Sequence, residues 1–392
     1  MVAETAKQFE ALERQAQKLM SVFVKAGHEA VAPSMIQPAD VFLDVIGEAL
    51  RARTYVFTDH DGDELCLRPD LTVPTCRLHL ERHPEGNVKA RYCYNGPAFR
   101  FQPQGADSAH PREFRQAGIE AFAHIDRETA DAQIVATIID ALKAAGLKDF
   151  KLRIGDLGLF RAVLKAARMP ERWRTMLAHQ FWRPDAFRTE LKRLVEVPAR
   201  ALEGLPADLV ASFDPSKPGD AEKKVAKHLE TMGIELVGVR TVSEITDSLL
   251  GIVEDGRAEP LLPETAQLIE SYLGVTAPAR AAGARLKDLM RDKGVDISGA
   301  LESFHRRLTL MAELGVDVVH ADFTAEFGRS LEYYTGFVFE VISPALGPSS
   351  AVAGGGRYDS LMRSAGAPDD VPAVGAAIHT ERLLAAIEGT SA

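Results

Sequence analysis

The 392-residue sequence predicts an α+β fold that holds a large, mostly helical insertion. Three observations carry this. Strand-like alternation broken by turn signals fills the N-terminal third and returns near the C-terminus. Helical spacing dominates the stretch between. The chain is also two to three times a typical domain, which favours one large core with an inserted or appended unit. Apolar residues make up 46% and charged residues 26% of the chain, a composition that argues against wholesale disorder.

Phe9, Leu12, Ala16, Leu19, Met20 and Phe23 recur at spacings of three and four, predicting an amphipathic helix over 4–26 that ends near Gly27. Pro33 and Pro38 then impose an extended passage. Residues 54–68 alternate on both sides of Asp61-Gly62, as a β-hairpin does. Two further strands are expected within 89–124, around a polar loop at 102–112. Ile134, Ile138 and Leu142 mark a helix over 128–145 that stops at Gly146, and a short strand follows at 150–154. Residues 157–310 read as helices separated by Pro and Gly. Strand character returns at 316–343, and Gly354-Gly355-Gly356 precede a last helix at 378–388. The expected domains are a core of residues 1–155 and 315–392 and an insertion of 156–314. No internal repeat recurs at a fixed period.

A net charge of −10 opposes general attraction to nucleic acid. Residues 151–200 depart from this balance, with twelve Lys and Arg against five Asp and Glu, and they contain both tryptophans, Trp173 and Trp182. Such a stretch is either a docking face for an acidic protein or RNA, or a solvated helical face over buried tryptophans. Cys66, Cys76 and Cys93 form no C-x-x-C pair, which excludes a disulfide scaffold and a zinc ribbon and fits a reducing compartment. No apolar run approaches the ~18 residues of a membrane span. Charge throughout the first helix-length argues against a secretory signal. A soluble cytoplasmic protein without membrane contact is expected.

Several motifs fail on their own chemistry. Asp59-x-Asp61-x-Asp63 has Glu64 where a calcium loop needs glycine. His79 and His83 stand four apart with Glu81 midway, which is not the H-E-x-x-H zinc arrangement, and surface histidines are expected. The triple glycine has no G-K-[S/T] after it, and no G-x-S-x-G elbow marks a nucleophile. No metal, cofactor or catalytic residue is implied.

Four segments carry the information. They are Leu67-Arg68-Pro69-Asp70-Leu71-Thr72; Phe99-Arg100 with Phe114-Arg115-Gln116-Ala117-Gly118-Ile119-Glu120; Arg329-Ser330-Leu331-Glu332-Tyr333-Tyr334; and Gly355-Gly356-Arg357-Tyr358-Asp359 with the run 374–382 behind it. Each sets charged groups in apolar, strand-like sequence. Gln116 and Glu120 fall on one sheet face by period-two geometry, where a buried carboxylate needs a cation or donor to answer it. A structural ion-pair network among Asp70, Glu120, Arg100 and Arg329 satisfies the same pattern.

In this order the segments resemble histidyl-tRNA synthetase, a class II aminoacyl-tRNA synthetase. L-R-P-D-x-T is similar to that family's L-R-P-E-x-T, the second segment to its motif 2, R-S-L-E-Y-Y to its R-G-L-D-Y-Y, and G-G-R-Y-D is identical. The run ending at Pro33 resembles motif 1, which builds the dimer interface. The resemblance covers about residues 1–155 and 315–390. It implies a class II antiparallel sheet flanked by helices, with self-dimerisation near Pro33.

The departures imply a changed function. Gln102 stands where the synthetases have a glutamate that helps to hold ATP. The loop 105–110 lacks their positive charge, and His379 falls where they have a glycine beside the nucleotide, although Arg382 and Arg329 are kept. The chain runs only ten residues past Arg382, so no anticodon-binding domain and no tRNA are expected. A kept amino-acid pocket with a degraded nucleotide pocket resembles the regulatory subunits of ATP phosphoribosyltransferase. That resemblance implies a non-catalytic partner of a short-form catalytic subunit in the first step of histidine biosynthesis, binding L-histidine for feedback control. Asp70 and Thr72 would take the ligand ammonium; Arg100, Gln116 and Arg329 its carboxylate; Glu120 one imidazole N–H; Tyr333, Tyr334 and Tyr358 the remaining edge; and Gly355 and Gly356 would allow close backbone approach. Two alternatives stay open: a histidine-activating synthetase-like enzyme without the anticodon-binding domain, and a structural subunit with a relic pocket.

Overall fold

The computed structural model describes residues 5–43, 48–102, 105, 111–196, 205–233, 241–328, 333–347 and 350–389. They form two compact units, Met1–Val163 with Ser271–Ala392, and Leu164–Glu270. In chain order the strands are β1 (Glu29–Ala30), β2 (Ile36–Pro38), β3 (Tyr55–Thr58), β4 (Glu64–Leu67), β5 (Ala90–Phe99), β6 (Glu113–Phe122), β7 (Lys151–Asp156), β8 (Thr276–Pro278), β9 (Asp322–Thr324), β10 (Phe337–Ile342), β11 (Ala351–Arg357) and β12 (Ala373–His379). Nine of them make one sheet in the order β1-β5-β6-β12-β11-β10-β7-β9-β8, and β2-β4-β3 make a small second sheet. The fold is α+β, as expected. The large sheet is mixed, not wholly antiparallel, because β1–β5 and β7–β9 pair in parallel. Long crossovers make this possible: more than a hundred residues separate β7 from β9.

Helix Ala6–Lys25 begins at a capping box in which Thr5 and Gln8 satisfy each other's backbone N–H groups, and it buries Leu12, Ala16, Leu19 and Phe23. Helix Arg127–Ala145 starts at Asp126 and ends on Gly146, whose φ of +114° is left-handed and suits glycine. Both helices pack on β5, β6 or β12. The hairpin expected around Asp61-Gly62 is β3–β4. The run 316–343 forms only β9 and β10 among the described residues. The triple glycine lies inside β11 and is separated from the last helix, Thr380–Glu388, by β12.

The second unit is narrower than the insertion of 156–314 read from helical pattern. Helices Ala279–Asp292 and Ser298–Glu313 belong with the sheet, because β8 pairs with β9 and Arg307 reaches back to Asp131. Arg307 donates to Asp131 and Asp156 at 2.8 Å each, and Arg357 donates to Asp131 at 2.6 Å and Asp359 at 2.8 Å. Asp131, Asp156, Arg307 and Arg357 are all buried. Within Leu164–Glu270, Phe213, Ala221, Val225, Leu250 and Val253 form a core cluster. Trp173 is buried there, donating to Asp255 Oδ1 at 2.7 Å.

His79 corrects the surface expectation. It is fully buried, with Nδ1 3.2 Å from the Tyr92 hydroxyl and Nε2 3.3 Å from the Gly86 carbonyl. Cys66, Cys76 and Cys93 are buried and unpaired. Among the described residues no helix is long and apolar enough to cross a membrane, and no cluster of three or more His, Cys, Asp or Glu is set to hold a metal.

Candidate functional site

Glu120 is the centre of the site. Alternation along β6 points it away from the helices that cover Ala121, and β5 and β12 flank it at Tyr92 and Gly375. Its carboxylate is inaccessible to solvent and accepts three hydroxyls: Thr72 at 2.8 Å and Tyr94 at 2.9 Å on Oε1, and Tyr358 on Oε2. Two glycines make the room. A Cβ at Gly375 would overlap Glu120 Oε2, and one at Gly118 would stand 2.5 Å from the Tyr94 hydroxyl oxygen. Gly355 and Gly356 serve the sheet in the same way, since a Cβ there would meet the Gly375 and Phe337 carbonyls.

Burial pushes the Glu120 pKa up to about 7, against the opposing pull of the three hydroxyls. The folded chain therefore keeps a proton that the unfolded chain releases above its ordinary pKa of 4.5. Stability falls as pH rises from about 4.5 to about 7 and levels off above, by on the order of 3 kcal/mol. Urea denaturation across this window is expected to show that slope in the wild type and lose this part of it in Glu120→Gln. An unchanged slope in the variant would mean that Glu120 titrates normally.

Asp70 stands in the turn that opens helix Thr72–Arg82. Its Oδ1 accepts from the Val73 N–H at 3.2 Å, while Oδ2 is buried and has no hydrogen-bond partner among the described residues. Burial raises its pKa, and the nearby Arg100 guanidinium is the largest influence holding it down. Arg100 donates from Nε to the Pro69 carbonyl at 2.9 Å and lies 5.0 Å over the Phe114 ring. Gln116 is buried on the Glu120 face of β6, its Oε1 also without a partner among the described residues. Tyr333, Tyr334 and Tyr358 form a buried aromatic cluster with ring centroids 4.9–6.3 Å apart. Arg329 lies outside the described residues.

The structure thus gathers Thr72, Glu120 and Tyr358 by direct hydrogen bonds, and Asp70 and Tyr333 by charge coupling around them. Sequence reading missed Tyr94. Its one signal is Gly118, the cross-strand neighbour that clears space for its ring. Other motif residues are structural. Arg68 donates to the Pro33 and Pro97 carbonyls, and Arg357 and Asp359 join the buried ion network.

Beside this site, the positions that differ from the synthetases are tied into local structure. Gln102 accepts from Arg53 at 2.6 Å and donates to the Pro111 carbonyl at 3.0 Å. The His379 ring packs on Phe114 with centroids 5.1 Å apart. Arg382 donates to the Ala351 carbonyl at 3.2 Å, and Glu381 accepts from the Arg115 N–H.

Comparison with known proteins bears on this arrangement. The family model of histidyl-tRNA synthetase matches residues 4–232 and 246–383. An ATP phosphoribosyltransferase regulatory subunit of Rhizobium johnstonii is 35% identical over 379 residues, spanning 94% of this chain and 96% of that one. One from Brucella anthropi is 34% identical over 360 residues, spanning 91% and 92%. Among solved structures, an ATP phosphoribosyltransferase regulatory subunit/histidyl-tRNA synthetase from Bacillus halodurans superposes with a TM-score of 0.68 at 20% identity, covering 99% of this chain and 81% of that one. A histidine–tRNA ligase subunit from Alicyclobacillus acidocaldarius gives 0.60 at 21% identity, covering 99% and 96%. The structural likenesses establish the class II synthetase fold. With relatives matched over almost their whole length, the chain belongs to the family of ATP phosphoribosyltransferase regulatory subunits.

Proposed function

We propose that the chain binds free L-histidine around Glu120 and communicates its occupancy to a short-form ATP phosphoribosyltransferase catalytic subunit. One observation carries the reading. A single buried site holds a carboxylate with spare acceptor capacity at Glu120 and, at Asp70, a carboxylate oxygen that no described residue answers. A ligand N–H donor favours the ionised form of Glu120, and an ionised carboxylate offers about four acceptor positions, of which three hydroxyls fill three. The fourth accepts an imidazole N–H. The orphaned Asp70 oxygen needs a donor, which an α-ammonium supplies, with Thr72 beside it. Arg100, Gln116 and Arg329 take the ligand carboxylate, and Tyr333, Tyr334 and Tyr358 close the ring pocket. Filling both imidazole nitrogens rejects apolar amino acids strongly.

In this reading the chain performs no chemistry. The partner converts ATP and phosphoribosyl pyrophosphate into phosphoribosyl-ATP and pyrophosphate, and the local pairing of Gln102 and the packing of His379 support a nucleotide site given over to structure. Self-association near Pro33 and a partner-facing role for the basic 151–200 stretch belong to the same proposal, as does the division of labour between a histidine-binding core and the helical insertion. Calorimetric titration of the purified chain is expected to show saturable binding of L-histidine and none of L-alanine. Incubation with histidine, ATP and labelled pyrophosphate is expected to give no exchange. Robust exchange would establish the synthetase-like enzyme instead.

A further inference from the structure

A cavity lies on the face of the large sheet opposite Glu120. Arg91 is paired across β5–β6 with Ala121, one residue out of phase with Tyr92 and Glu120, so its row faces the helices. There a cavity of about 240 Å3 is lined by His28, Arg91, Ala121, Gln133, Thr137 and Asp140. No residue of the Glu120 site contributes to it.

Its polar groups are unevenly satisfied. Arg91 Nη2 donates to Gln133 Oε1 at 2.6 Å, and among the described residues no carboxylate forms an ion pair with it. His28 is more than nine-tenths buried. Its Nδ1 lies 3.2 Å from the Phe23 carbonyl and so carries the proton, which leaves Nε2 buried with no partner among the described residues. His124, close enough to oppose protonation of His28, also has a buried Nε2 without a partner among the described residues. The two imidazoles do not make a metal site, because Arg91 and Lys89 add positive charge and no three-ligand cluster exists among the described residues. The acidic wall residue, Asp140, is exposed and screened by solvent.

We propose that this cavity is a second ligand site, which takes a small oxyanion, phosphate or carboxylate, paired with Arg91 and hydrogen-bonded to His28 Nε2. Burial and the Arg91 charge keep His28 neutral in the empty site, with a pKa lowered to about 4. A bound anion offsets the Arg91 charge and favours an Nε2–H donor, so its entry draws a proton onto His28. Charge-assisted bonds from a guanidinium and an imidazolium are the strong kind, and a buried, unpaired nitrogen is otherwise unexplained in a cavity of this size.

The test is calorimetry on the full chain with inorganic phosphate and, separately, acetate, near pH 6, in two buffers of different protonation enthalpy. Saturable binding of either anion is expected, with proton uptake beyond what the anion's own titration contributes, and the anion that binds identifies the class. Arg91→Gln is expected to weaken binding at least roughly tenfold, and His28→Gln to remove the proton uptake. Arg91→Lys, which keeps the charge, should retain part of the affinity and guards against a folding defect. Absence of saturable binding, or binding indifferent to Arg91→Gln in a folded variant, overturns the proposal. Histidine plays no part in the readout, so the result is independent of the function proposed for the Glu120 site.

Discussion

Replacing Arg307 with alanine is expected to cost about 3–5 kcal/mol of folding stability. Its guanidinium is buried between Asp131 and Asp156, 2.8 Å from each, and lies 4.9 Å over the Phe337 ring. Deleting it leaves Asp131 paired with Arg357 alone, Asp359 shared between Arg357 and the more exposed Arg127, and Asp156 without a cation among the described residues. Asp156 loses its only ion-pair partner among the described residues while staying fully desolvated. Removing one member of a buried network is costly for this reason, whereas an exposed pair such as Arg14–Glu10 contributes little. The deficit carries a pH signature. Without the cation, burial raises the Asp156 pKa still further, so the variant regains stability as acid neutralises the carboxyl. Urea midpoints at pH 7 and pH 5 measure both effects. A loss under about 1 kcal/mol at pH 7 would mean that the network relaxes into solvent.

Glu120→Ala is expected to lower the affinity of the isolated chain for L-histidine by at least roughly tenfold. The variant leaves an imidazole N–H unpaired in a site closed to water, at a cost of about 1–3 kcal/mol, and more if the bond is charge-assisted. Each 1.4 kcal/mol is a factor of ten. Calorimetry reads this directly. Glu120→Gln separates charge from shape, because it keeps an acceptor oxygen and most of the packing but never ionises. Equal affinities in all three proteins would remove Glu120 from the ligand contact.

The helical parts of the fold were legible because their signals are local. The spacing of Leu12, Leu19 and Phe23 and the stop at Gly146 each act within a few residues. Alternation likewise placed Gln116 and Glu120 on one face before any partner was known. What the sequence hid were contacts set by register. Tyr94 reaches Glu120 only because β5 and β6 pair Tyr92 with Glu120, and no local pattern announces that alignment. His79 looked like a surface residue until Tyr92 and the Gly86 carbonyl supplied partners for both its nitrogens. The compact units divide elsewhere than the helical pattern for a related reason. Residues 271–314 are mostly helical in pattern, yet they join the sheet unit through β8 and through Arg307, whose partner Asp131 lies 176 positions away. Within G-G-R-Y-D, neighbouring residues serve opposite faces: Arg357 enters the ion network, and Tyr358 donates to Glu120. Resemblance named the motif, but only the structure divided its roles.

The most direct test of the histidine-sensing account is a titration of the assembled phosphoribosyltransferase complex with L-histidine, using wild-type and Glu120→Ala subunits, each read against its own activity without histidine. Binding and inhibition are linked, so the histidine needed for half-inhibition must rise by the same factor as the calorimetric dissociation constant. The account predicts that matched shift, at least roughly tenfold. Inhibition of the Glu120→Ala complex at an unchanged histidine concentration would contradict it, because the ligand would then be acting at some other site.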